Sequence, residues 1–105
     1  MKIEELKDKQ SDVNIDLKVI YDQMKEKEMW GRRTKTIVVV DADSEAGGMS
    51  ALLDLYDDDV DKYKFQSKLR VVDGYAKEIT TKKGKQMLIS YGYKDKQLVG
   101  HYEPI

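Results

Sequence analysis

Apolar and polar residues alternate most regularly near the start of the chain, where Val13, Ile15, Leu17 and Val19 are interleaved with Asn14, Asp16, Lys18 and Ile20. A period of two predicts a strand with one buried face. Thr36 to Val40 is a β-branched run suited to a central strand. In Met49 to Tyr56 the same alternation sends Met49, Ala51, Leu53 and Leu55 inward and Ser50, Leu52, Asp54 and Tyr56 outward. Ser67 to Ile79 reads as a long strand interrupted at Gly74. Its phase puts Tyr75 with Leu69 and Val71, while Gly74 permits a bulge or bend that re-aims the ring. Thr80 to Lys85, with Gly84 in its turn, predicts a hairpin loop, and Gln86 to Tyr91 a last strand.

The intervening segments carry turn chemistry. Residues 22–33 are polar, with Met24, Met29 and Trp30 interspersed and Gly31 as a breaker, and predict a long loop or irregular hairpin. Residues 41–48 close a hairpin. Asp57 to Gln66 opens with acids suited to an N-cap and predicts a short helix, with Val60, Tyr63 and Lys64 on one side and Tyr63 and Phe65 packed on the sheet. Three strands, a short helix and two more strands form the layout of an all-β, five-stranded Greek-key barrel of the oligonucleotide/oligosaccharide-binding (OB) fold. Its ligand face lies on the second and third strands, flanked by the loops after strands one and four. The expectation is one OB domain over 1–105, with strands in about 13–91 and a C-terminal tail over 92–105.

Composition narrows the chemistry. The 105 residues contain no cysteine, which excludes disulfides, thiol catalysis and Cys-based zinc sites and agrees with a reducing, cytoplasmic location. Met1 to Lys7 is too charged for a signal peptide, and no apolar run approaches the roughly 20 residues of a membrane span, so a soluble protein with no membrane partner is expected. Although 37% of residues are charged, the net charge is −1, which counts against a dedicated phosphate binder. The distribution restores the case. Arg32, Arg33 and Lys35 form one basic cluster and Lys82, Lys83 and Lys85 another, both in the loops that flank the predicted ligand face, while acids gather in 41–45 and 57–61.

Tyr56 and Tyr75, each closing a predicted strand, suit base stacking on a barrel's outer face, because every base has a π-face. Trp30 beside Arg32 and Arg33 adds an indole and guanidinium pair that can grip a base and a phosphate. Asp41, Asp43 and Glu45 alternate but lack the further ligands of a calcium loop, and a structural turn is expected there. His101 has no nucleophile to serve and is expected in the exposed tail. With no P-loop, dinucleotide fingerprint or carboxylate pair, the expectation is a non-enzymatic protein without cofactor or metal.

The same residues resemble a family, the archaeal-type single-stranded DNA-binding proteins and the DNA-binding domains of replication protein A. Ile3-Glu4-Glu5-Leu6-Lys7 before Val13-Asn14-Ile15 is similar to that family's lead-in and first strand. Gly31-Arg32-Arg33, Asp41 with Gly47-Gly48, Leu53-Asp54-Leu55-Tyr56 and Asp73-Gly74-Tyr75 resemble its later strands, so the likeness runs over about 1–92. The resemblance implies that Tyr56 and Tyr75 stack bases, that Arg32 and Arg33 border the strand's path and that Tyr91 is a further stacking residue. Ile79 stands where the family often has another aromatic, tyrosine replaces the commoner tryptophan at 56, and the family's Gly/Arg-rich or acidic tail is missing. The implied function is single-stranded DNA binding with little sequence preference in replication, recombination or repair, with replication or repair proteins as further partners. The alternatives are a protein-interaction subunit of a replication assembly, whose acids at 57–61 meet a basic partner, and RNA or tRNA binding.

Overall fold

The computed structural model describes residues 1–44, 48–95 and 97–105. Each predicted alternation becomes a strand with one face in the core. These strands are β1 (Gln10–Tyr21), β3 (Arg32–Asp41), β4 (Ser50–Tyr56), β5 (Lys68–Thr81) and β6 (Gly84–Lys94). Shorter strands are β2 (Lys27–Met29), β7 (Gln97–Val99) and β8 (His101–Pro104), and the helix α1 is Asp59–Lys62. Antiparallel pairs β1–β3, β3–β4, β5–β6 and β1–β5, with a parallel β4–β6 pair, close a mixed barrel of five strands. This all-β closure, with its short helix between β4 and β5, is the expected OB-like barrel.

The inward set is almost wholly aliphatic. Val13, Ile15, Leu17 and Val19 meet Ile37, Val39, Leu53, Leu55, Leu69 and Ile89 in the barrel, and no polar or charged residue among the described ones is buried with them. Ile3 and Leu6, on a 3₁₀ turn at Ile3–Glu5, join this core, and Asp41 Oδ1 accepts the Ile3 N–H at 2.9 Å to hold the turn in place. Val60 and Tyr63 join it from α1 and its C-terminal cap.

Several expectations are corrected. Met49 is exposed, because β4 starts one residue later and the core set begins at Ala51. The helix is a single turn: Asp58 occupies the N-cap position without a side-chain cap bond, and the backbone turns extended at Tyr63 to send its ring inward. Phe65 and Lys64 therefore lie beyond the helix and are exposed. Of the two alternatives for residues 22–33, the hairpin is the one that forms, with β2 paired to Arg32, Arg33 and Thr34 at the start of β3. The expected tail is structured: β7 folds back antiparallel on the end of β6, β8 pairs with the first half of β5, and Tyr102 is core at 5% exposure. His101 belongs to β8, exposed, with Nε2 2.7 Å from Glu103 Oε1. Gly47 and Glu45, assigned to the turn after β3, lie outside the described residues.

The phase of Tyr75 is decided by a bulge. β1 pairs Ile15 with Val71 but Val13 with Gly74, so β5 carries one residue more than its partner across this stretch. Asp73 absorbs it with φ 53°, and its N–H donates to Asn14 Oδ1 at 3.1 Å. Beyond the bulge Gly74 and Ala76 point inward, and Tyr75 leaves the phase of Leu69 and Val71.

Candidate nucleic-acid interface

Register fixes which side chains share the outer face of the barrel. Thr34, Thr36 and Val38 of β3 pair with Tyr56, Asp54 and Leu52 of β4. Leu52 aligns with Leu88 of β6, and Ser90 and Leu88 pair with Tyr75 and Lys77 of β5. Tyr56 and Tyr75 thus stand on one face with β6 between their strands, which at the usual strand spacing separates them by roughly 10 Å.

Tyr56 is a supported platform. Its ring lies 5.1 Å from that of Tyr91, Tyr91 lies 4.6 Å from Tyr102 at 65°, and Tyr102 lies 6.4 Å from Tyr63. The chain of rings runs from the surface into the core, and such tilted or edge-on pairs add about 0.5–1.5 kcal/mol each beyond burial. Tyr102 donates its hydroxyl to the Asp54 carbonyl at 2.7 Å, and Tyr91 donates its own to the Asp59 carboxylate of α1. Burial, and then the Asp59 carboxylate, raise the Tyr91 pKa; burial, and then Asp54, raise that of Tyr56. Burial pushes the Tyr63 hydroxyl up to about 12, and it has no hydrogen-bond partner among the described residues. Tyr91, taken from the resemblance as a stacking residue, is half-buried in this chain and packed against the core, where it supports Tyr56 from behind.

Trp30 stands at the tip of the β2–β3 hairpin and is 94% exposed. It and Gly31 are the turn residues, with φ 55° and 76°, the paired left-handed conformation of a type I′ hairpin. An indole is unusual where asparagine or glycine is the rule, since a left-handed non-glycine residue costs about 1–2 kcal/mol. Trp30, Met29, Arg32, Tyr56 and Leu98 line one groove of about 710 Å³. Leu98 comes from β7, in the segment assigned to the tail, and three-residue strands are too short to show a period.

The basic residues separate into two kinds. Arg33 is engaged: its guanidinium contacts Glu26 at 2.6 Å and Asp61 at 2.8 Å, raising its own pKa and lowering that of Asp61. It ties the segment before β2 to α1, so a phosphate would reach it only by displacing a carboxylate. Arg32 makes a single long contact to Asp57 at 3.8 Å and also lines the groove. Lys82 and Lys83 form the exposed β5–β6 turn and make no ion pair among the described residues, whereas Lys85 lies 3.6 Å from Glu78. Because β6 runs parallel to β4, this turn lies at the far end of the face from Tyr56, on the order of 25 Å along β6 at the strand rise per residue.

Two further residues belong to the face, neither of them given a role by the sequence pattern. Asp54, directly across from Thr36, accepts its hydroxyl proton at 2.7 Å, and burial raises its pKa. Lys77, two residues past Tyr75, is close enough to oppose that shift. The outward phase of Asp54 is readable and that of Lys77 depends on the bulge, but a single polar side chain in a strand carries no chemical signal of its own. Asp41 and Asp43 hold the N-terminus through Ile3 and Lys2, and no group of metal-ligating side chains occurs among the described residues. No described helix is long and apolar enough to cross a membrane.

The barrel and this face define a protein of OB-like architecture. No protein-family model matches the chain, and no curated protein matches it in sequence.

Proposed function

We propose that this protein binds single-stranded DNA without catalysis and with little sequence preference, along the outer face of β3, β4, β6 and β5. The observation that carries the reading is the pairing of two aromatics across one groove: Tyr56, backed by Tyr91, and Trp30, held almost fully exposed in a conformation that costs stability. Arg32 at one end of the face and Lys82 and Lys83 at the other supply backbone contacts, and Tyr75 offers a further platform. By its resemblance the protein would cover exposed strands in replication, recombination or repair. The protein-interaction reading is weaker, because two of the acids it needs are engaged within the chain: Asp59 accepts from Tyr91 and Asp61 pairs with Arg33.

The test is a fluorescence titration of labelled oligo-dT, oligo-U and duplex DNA at two salt concentrations. Binding to oligo-dT that weakens with salt and exceeds duplex binding is the expected result. Tighter binding to oligo-U would move the substrate to RNA, and no binding to any of the three would overturn the reading.

A further inference from the structure

A surface that holds a polyanion should not carry a carboxylate at its centre unless that carboxylate has a task. Asp54 points outward from β4 between Leu52 and Tyr56, beside the platform and across from Thr36. It is half-buried, and the Thr36 hydroxyl fixes Oδ1 at 2.7 Å. The Tyr56 hydroxyl also hydrogen-bonds this carboxylate, and because a carboxylate offers about four lone-pair sites, the bonds from Thr36 and Tyr56 position the group without exhausting it. A base stacked on Tyr56 would have its edge near this acceptor, where single-strand readout takes place.

The bases differ sharply in what they offer such a group. Guanine presents two adjacent donors, N1–H and the N2 amino group, which match a carboxylate's two oxygens. Adenine and cytosine present one amino group beside an acceptor, and thymine flanks its single N3–H with two carbonyl oxygens. Resting on the single-strand reading above, we propose that Asp54 is a specificity-determining residue that selects guanine at the nucleotide stacked on Tyr56. Asp54 lies beside one stacking platform, so the preference it sets is confined to one position of the bound strand. Lys77 on β5, whose charge reaches Asp54, offsets the repulsion between the carboxylate and neighbouring phosphates.

The experiment compares alternating dT-dG, dT-dA and dT-dI oligonucleotides of one length, bound to the wild type and to Asp54→Asn. Comparing two purines removes stacking area as a cause, and inosine keeps N1–H but lacks the N2 amino group. The wild type should bind dT-dG about 5- to 10-fold more tightly than dT-dA, the scale of one base-edge contact, with dT-dI between them. Asp54→Asn, which replaces one acceptor with a donor and removes a charge that repels phosphates, should bind both oligonucleotides at least as tightly as the wild type binds dT-dA and should lose the difference between them. Equal wild-type affinity for dT-dG and dT-dA would overturn the proposal and leave strand binding standing, as would a guanine preference that survives in Asp54→Asn. If the variant fails to fold, the dT-dG to dT-dI ratio of the wild type decides alone: a ratio of one refutes the contact to N2. Failure of all the oligonucleotides to bind would overturn the single-strand reading and this inference together.

Discussion

Tyr56 and Tyr91 touch each other and do different work. Tyr56 presents a half-exposed ring at the end of β4, while Tyr91 is held by its hydroxyl on Asp59 and by rings on either side. Tyr56→Ala should therefore weaken single-strand binding by about 1–3 kcal/mol with a smaller fall in melting temperature than Tyr91→Ala, since it breaks one ring pair rather than two. Tyr91→Ala should lower the melting temperature and weaken binding together, because it removes a packed ring and the support of the platform. Titration beside thermal unfolding separates the two, and an unchanged isotherm for Tyr56→Ala would remove that residue from the site. At this scale the sequence was readable wherever alternation ran unbroken. Tyr56 faces outward as its phase predicts, whereas Tyr91 has the inward phase of Ile89, which the reading from resemblance passed over. Phe65 failed for another reason: it was assigned to a helix face, and the helix ends before reaching it.

The elements show how local irregularity aims the site. The extra residue near Asp73 turns Tyr75 outward and puts Gly74 into the barrel wall, where a Cβ would come within 2.4 Å of Val71 Cγ1 and 3.0 Å of the Ser90 carbonyl oxygen. Gly74→Ala should accordingly destabilise the fold by about 1–3 kcal/mol, the usual cost of overpacking, as read by urea denaturation. A neutral result would mean that the bulge can shift to make room. The glycine announced a bulge in the sequence, but the left-handed residue is its neighbour Asp73, since aspartate tolerates that conformation and Asn14 rewards it with a hydrogen bond. β7 and β8 were invisible for want of length. β7 folds back on the strand just before it, but β8 pairs with the first half of β5, far back in the sequence, and only the burial of Tyr102 shows why the chain returns.

For the whole molecule, a net charge of −1 conceals a face whose ends are basic. Arg33 is held by two carboxylates and Lys85 and Arg32 each by one long contact, at 3.6 and 3.8 Å, so Lys77, Lys82 and Lys83, with Arg32 once it leaves Asp57, are the groups best placed to meet phosphates. With a slope of about −0.7 per phosphate neutralised on a single strand, the logarithm of affinity should fall with the logarithm of salt at about −2 to −3. A flat response in the titration would remove the basic loops from the interface. The barrel was legible because its long strands run as alternating or β-branched segments and the turns between them are rich in glycine and aspartate. What the pattern could not convey is how the cylinder shuts. β4 and β6 meet through two residue pairs, Leu52 with Leu88 and Leu53 with Ile89, while the antiparallel β5–β6 hairpin runs through eight. A join that short between distant segments is slow to find, since the loop entropy must be lost before the contacts form. If the seam parts, β4 and β6 each present a bare strand edge of matching shape, and two chains opened in this way could each supply the strand the other lacks.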